Sequence, residues 1–286
     1  MAEIIDGKLV SSVMRESLKS EVATFKVEGG NNVGLAVILV GNDPASAVYV
    51  RNKHRACEQV GIDSYQIELP ESTSEEELLA TIDRLNSDDK INGILVQLPL
   101  PKHISEKKVI ERIDPKKDVD AFHPENVGRI MIGNYTFLPC TPAGIIALLD
   151  YYKINIEGKN CVVIGRSNIV GKPMSLLLTE RNGTVTLCHS RTQGLKEICK
   201  NADLIVVAIG KAEFLTADML KEGAVVIDVG INRLADGRLV GDVHFDQVKE
   251  VASMITPVPG GVGPMTITML LYNTLSAAKM QSAGKV

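Results

Sequence analysis

Paired metal-ligand and disulfide spacings are missing from this chain. Its five cysteines (57, 140, 161, 188 and 199) are odd in number, scattered, and form no C-x-x-C. That pattern fits a reducing cytosol rather than a disulfide framework. The five histidines are equally dispersed, so no zinc site is expected and no metal is assigned. No basic block exceeds two or three residues and the net charge is −4, which argues against nucleic acid or an anionic membrane surface as partner. No apolar run approaches the roughly 20 residues of a membrane span. The opening residues, MAEIIDGKLVSSV, lack the basic-then-apolar order of a signal peptide. Repeats and low-complexity segments are absent too. A cytoplasmic protein is expected.

What remains is an ordinary globular composition, 45% hydrophobic and 23% charged, over 286 residues, enough for one large domain or two ordinary ones. Strand and helix patterns alternate. Residues 33–41 (VGLAVILVG) form a near-continuous apolar run, as a strand buried on both faces should. Strands are also expected at 65–69 and 91–98, and helices at 7–26, from Pro44, and at 74–86. A less regular, proline-bearing stretch follows. A helix at 141–152, capped by Thr141 with Pro142 at its first position, leads into a second alternation. Its strands are expected at 160–164, 184–188, 203–209, 224–229 and 254–255. The fold class is therefore α/β with two domains, 1–140 and 141–265, each built on a parallel sheet and separated by a cleft. The last helix, from 266, is expected to pack back on the first domain.

The segment VIGRSNIVGKPM places Gly165 and Gly171 in a turn between a strand and a helix. Backbone N–H groups and a helix N-terminus there suit a phosphate, the context of a dinucleotide-binding βαβ unit. The spacing, G-x-S-x-x-x-G, is not G-x-G-x-x-G, and such a turn can also merely reverse the chain. After the next strand, where an NAD-selective protein places Asp or Glu, the chain reads His189-Ser190-Arg191, and Arg166 lies in the turn itself. A guanidinium suits a 2′-phosphate, which favours NADP over NAD. The competing reading leaves Arg166 and Arg191 as solvated surface charges. Loops after Val229, with Gly230 and Ile231, and after Ile255 fall at the same strand ends and could line a nicotinamide pocket.

Tyr49-x-x-x-Lys53 has the spacing of the proton-transfer pair in short-chain dehydrogenases. The order excludes that architecture, because the glycine turn follows in a later domain. On a helical projection of about 100° per residue, Tyr49, Val50, Ala56, Cys57 and Val60 form an apolar stripe. Lys53 and Ser46 fall inside it. A buried lysine loses basicity and can act as a neutral amine near neutral pH. It can equally snorkel to water or pair with a buried carboxylate. Cys140, before Thr-Pro, is read as a small buried residue rather than a nucleophile.

Six stretches, NDPASAVYVRNKHRACEQVGI, GILVQLPLP, KDVDAFHPENVG, PCTPAGI, VIGRSNIVGKPM and PVPGGVGPMTITMLLYNT, together resemble the bifunctional methylenetetrahydrofolate dehydrogenase/methenyltetrahydrofolate cyclohydrolase family. They span nearly the whole chain in the family's order, and no motif position departs from the pattern. The resemblance implies NADP-dependent oxidation of 5,10-methylenetetrahydrofolate to the 5,10-methenyl cation, then hydrolysis to 10-formyltetrahydrofolate. It makes the first domain folate-binding and the second a Rossmann-like NADP domain. It implies that Lys53 is the central catalytic residue, that Tyr49 borders the folate, that Gln97 tunes Lys53, and that Asp120 holds the pterin's amino edge. Ser46, Pro264 and Thr268 would complete the folate site. Gly165, Arg166, Ser167, Ser190 and Ile231 would contact NADP, with Arg191 beside them. It further implies a cytoplasmic homodimer, joined through the NADP domains, in one-carbon metabolism and purine biosynthesis. Two narrower readings are a dehydrogenase without cyclohydrolase and a non-catalytic NADP-binding module. Retention of Tyr49, Lys53, Gln97 and Asp120 favours both reactions.

Overall fold

Every residue of the strand Gly34–Val40 is buried. It runs between Asp63–Leu69 and Gly93–Val96, parallel to both, as the middle strand of a three-stranded sheet. Successive side chains of a strand point to opposite faces, and here each face has its own core. Leu35, Val37 and Leu39 pack with Leu18 and Val22, with Val50, Cys57 and Val60, and with Leu270, Leu271 and Leu275. Ala36, Ile38 and Val40 pack with Leu78, Ile82 and Val109. This two-sided burial explains why the strand carries no polar alternation.

The computed structural model describes residues 1–284, apart from the side chains at positions 44 and 45. It divides into two compact units, one of Met1–Ser12 with Thr141–Thr266, the other of Val13–Cys140 with the chain from Ile267 on. The second of these holds the three-stranded sheet, and the end of the chain contributes to its core from Ile267. Two short helices, Glu106–Arg112 and Pro124–Met131, occupy the stretch expected to be irregular. Seven or eight residues are too few for a hydrophobic period to show. Their local signals are nonetheless present, a Ser105 cap and Pro124 at the start of a helix capped by His123.

The other unit contains a six-stranded, wholly parallel sheet. Its order is Glu3–Ile4, Met254–Ile255, Val225–Asp228, Leu204–Val207, Asn160–Ile164, Thr184–Cys188. The five later strands stand where the apolar runs placed them. Glu3–Ile4 is an edge strand that brings Met1–Ser12 into this unit, whereas a linear boundary at 140 leaves those residues with the first half. Two residues carry no readable period. An antiparallel pair, Asn232–Arg233 with Leu239–Val240, is likewise additional.

Two helix starts differ from expectation. The connecting helix spans Cys140–Tyr151, so Thr141 lies inside it rather than capping it. The Thr141 hydroxyl pairs instead with that of Thr266 at 2.9 Å. The last helix spans Val262–Ala283, opening within the Gly/Pro-rich loop, with Pro264 in a first turn where proline costs no hydrogen bond. Among the described residues, no helix is long and apolar enough to cross a membrane.

All five cysteines are free and buried, and burial pushes the Cys57 and Cys199 thiols up to about 12 and Cys161 to about 11. Thiolate is the reactive form. The native protein should therefore react with a maleimide at neutral pH only on the timescale of unfolding, with five thiols titrating once denatured. A rapid stoichiometric burst in native buffer would contradict this burial.

Candidate active site

Helix Pro44–Val60 is fastened at both ends. Asp43 caps it by accepting the Ser46 N–H at 2.8 Å, and Gly61 closes it in the left-handed conformation at φ 78°. Val50, Ala56, Cys57 and Val60 face the core, and Lys53 goes in with them at 7% exposure. Its amine does not snorkel. Nζ donates to Gln97 Oε1 at 3.0 Å. Gln97 follows the strand Gly93–Val96, and its Nε2 donates to Leu98 O at 2.7 Å. That second bond orients the carboxamide so that its oxygen meets the lysine.

Asp120 and Cys140 complete the group around the amine. Desolvation lowers the Lys53 pKa from its ordinary 10.5, with Asp120, then Cys140 and Cys57, pulling back. Burial raises Asp120, restrained by Lys53 and by a bond from Cys140. Both groups are thus pushed toward their neutral forms. Cys140 has the burial expected of it and more: it lies beside Asp120, and burial together with that carboxylate drives its thiol well above 9.0. It is a protonated packing group rather than a nucleophile.

The loop carrying Asp120 is held by side chains that sequence reasoning did not find. Asp118, buried and pushed up to about 6 by that burial, accepts the His123 N–H and Asn126 Nδ2. Asn273, on the last helix, donates Nδ2 to Val119 O at 2.8 Å and Leu138 O at 2.9 Å. Buried Asn in an apolar helix was the available signal, since such a group requires partners.

The other folate candidates separate. Tyr49 shares the helix face of Lys53 but is 36% exposed, one turn nearer the helix N-terminus. Ser46 is buried and donates its hydroxyl to Asp43 at 2.7 Å. Pro264 is half-buried. Thr268 has no exposed surface, and its hydroxyl accepts from Arg15 Nε at 2.9 Å. Thr268, expected among the folate contacts, is thus engaged by Arg15.

In the six-stranded unit, Gly165 has φ 125°, and a side chain there would collide with Ala208 O. One at Gly171 would collide with Gly165 O. Only glycine fits both positions. Ser167 Oγ accepts the N–H of Val170 at 3.1 Å and of Gly171 at 3.4 Å, shaping the entry to helix Gly171–Glu180. Arg166, Ser190 and Arg191 are exposed, and Ile231 is 45% exposed beyond the strand Val225–Asp228. No carboxylate follows Cys188, where His189, Ser190 and Arg191 stand. Crowded glycines, a helix start and exposed guanidiniums without an acid fit a phosphorylated dinucleotide.

Comparison with known proteins finds the two domains of one family along the chain. Residues 5–120 match the tetrahydrofolate dehydrogenase/cyclohydrolase catalytic domain, and residues 139–282 match that family's NAD(P)-binding domain. The bifunctional protein FolD of Acetivibrio thermocellus is 61% identical over 284 residues, 99% of each chain. The crystal structure of a bifunctional FolD from Campylobacter jejuni superposes with a TM-score of 0.96 at 51% identity, covering 98% of this chain and all of that one. A Trypanosoma brucei methylenetetrahydrofolate dehydrogenase-cyclohydrolase, solved with NADP cofactor and inhibitor, gives 0.95 at 39% identity, covering 98% of each chain.

Unfolded lysine keeps its proton up to about 10.5, whereas buried Lys53 releases it at lower pH. Wild-type stability therefore rises with pH across that interval, and Lys53→Met removes the step. The denaturation midpoint should shift in favour of wild type, relative to the variant, as pH rises from neutrality toward 10.5. Parallel profiles would show that the amine keeps its ordinary basicity.

Proposed function

The chain belongs to the tetrahydrofolate dehydrogenase/cyclohydrolase family, and from that membership we propose how its residues divide two reactions. The protein is a bifunctional enzyme of one-carbon folate metabolism. It oxidises 5,10-methylenetetrahydrofolate to the 5,10-methenyl cation with NADP and hydrolyses that cation to 10-formyltetrahydrofolate. NADP, when bound, supplies the hydride acceptor.

Lys53 is the acid–base group of the hydrolysis. The observation that carries this is an amine at 7% exposure, 3.0 Å from Gln97 Oε1 and facing Asp120. The substrate is a cation, which a protonated amine would repel, and desolvation favours the neutral form. Neutral Lys53 accepts a proton as the water oxygen bonds to the methenyl carbon. The resulting carbinolamine loses its hydroxyl proton as the carbonyl forms. N5 gains a proton as its bond to that carbon breaks, and one proton is released overall. Gln97 fixes the amine's direction. Asp120 offers a carboxyl to the pterin's amino edge, and half-exposed Tyr49 borders the ring. The hydride step asks positioning of these side chains rather than acid–base work.

The turn bounded by Gly165 and Gly171, with Ser167 in it, takes the pyrophosphate at the start of the helix that follows. Arg166, Ser190 and Arg191 take the 2′-phosphate, and Ile231 borders the nicotinamide half. The reading extends to a homodimer joined through the NADP-binding unit and to the cytoplasm, for which family membership and five free thiols speak.

Lys53→Met should abolish methenyltetrahydrofolate hydrolysis while NADP still binds. Hydrolysis at the wild-type rate would remove Lys53 from this role. Loss of a charge-assisted phosphate contact is worth about 1.5–3 kcal/mol, so Arg166→Ala should raise the NADP KM roughly tenfold or more and leave the NAD KM little changed. Equal rises for both cofactors would show that Arg166 does not read the 2′-phosphate.

A further inference from the structure

Two carboxylates, Asp228 at the end of its strand and Asp242 on a later loop, lie buried in the NADP-binding unit, 3% and 0% exposed. Buried charge is costly unless hydrogen bonds fill it, and here backbone fills most of it. Asp242 Oδ2 accepts the N–H of Ile209 at 2.7 Å and of Gly210 at 2.9 Å. Its Oδ1 accepts the Lys211 N–H at 2.8 Å and Asn232 Nδ2 at 2.9 Å. Asp228 Oδ1 accepts the N–H of Gly230 at 3.0 Å and of Asp242 at 2.9 Å, and its Oδ2 accepts that of Val243 at 3.0 Å.

These partners are not spread over the unit. Leu204–Val207 and Val225–Asp228 are neighbouring parallel strands, with Val207 opposite Asp228. Residues 209–211 continue the first strand and residues 230–232 the second. Ile231 is bracketed: the N–H before it is held by Asp228, the side chain after it by Asp242. The first loop also backs the glycine turn, because Ala208 O is the atom that bars a side chain at Gly165. A side chain at Gly230 would strike the Asp242 carboxylate, and one at Gly241 that of Asp228. The backbone is drawn in around both acids.

We propose that Asp242, held in turn by Asp228, is a positioning residue for the NADP site, setting loops 209–211 and 230–232 so that Ile231 is presented to the cofactor. The proposal rests on the NADP reading above. It goes beyond that reading by placing cofactor affinity under a buried carboxylate that touches no ligand. Displacing such loops by an ångström weakens binding without disturbing the Lys53 chemistry, which belongs to the other unit and needs no cofactor.

The test uses the full-length protein, with Asp242→Asn and Asn232→Ala beside wild type. NADP affinity is measured by calorimetry, turnover of supplied methenyltetrahydrofolate by absorbance, and amide exchange in the cofactor-free state by mass spectrometry. Asp242→Asn should weaken NADP binding roughly tenfold or more and Asn232→Ala severalfold, with hydrolysis held within about twofold of wild type. Exchange should quicken at 209–211 in Asp242→Asn. Unchanged NADP affinity in Asn232→Ala and in folded Asp242→Asn overturns the proposal, as does hydrolysis falling in step with affinity. Should Asp242→Asn not fold, Asn232→Ala decides alone. A wild type that binds no NADP would refute the cofactor reading itself, an outcome separate from any difference among the variants.

Discussion

The burial of one amine is the constraint on which the unit around the three-stranded sheet turns. Lys53 occupies a helix position flanked by the core residues Val50, Ala56 and Cys57 and is itself buried, so its Nζ must find its partners inside the protein. Water would otherwise satisfy it at far lower cost. Gln97 must therefore present an oxygen, and does so because its own nitrogen is committed to Leu98 O. Asp120 must remain close, and does so because Asp118, Asn126 and Asn273 fasten its loop. Cys140 fills the remaining space with a thiol too buried to ionise. The amine is thus kept in a poorly solvated setting, where desolvation lowers its pKa and the Asp120 carboxylate partly restores it.

The NADP-binding unit solves a different problem by a different means. A dinucleotide offers phosphates and riboses to backbone N–H groups, so the protein must shape loops rather than tune a side chain. Glycines at 165 and 171 allow segments to approach more closely than any side chain permits. Buried acids at 228 and 242 then hold neighbouring loops by their N–H groups. Polar groups are buried in both units, but one unit buries an amine held by a side-chain carboxamide and the other buries carboxylates held largely by backbone N–H groups.

The two units also differ in how they reveal themselves. Continuous apolar runs such as 34–40 and 204–207 are legible because a strand covered on both faces admits nothing else. The edge strand Glu3–Ile4 is not, since its pairing partner, Met254–Ile255, lies far along the chain. Helices of seven and eight residues fall below the length at which a period shows, although their caps were written in the residues.

The sequence by itself determined the α/β alternation, the glycine turn, the missing acid after Cys188 and the anomaly of a lysine within an apolar stripe. Each of these is a local pattern, set by periodicity or by the steric demands of a few consecutive residues. Tertiary structure alone decided what that lysine meets, that Arg15 bonds to Thr268, and that Cys140 borders Asp120. It also decided that Asp242 gathers residues 209–211 and Asn232. Those relations join positions tens to hundreds of residues apart. Their energies arise from desolvation and hydrogen-bond geometry, which exist only once the chain has closed around them.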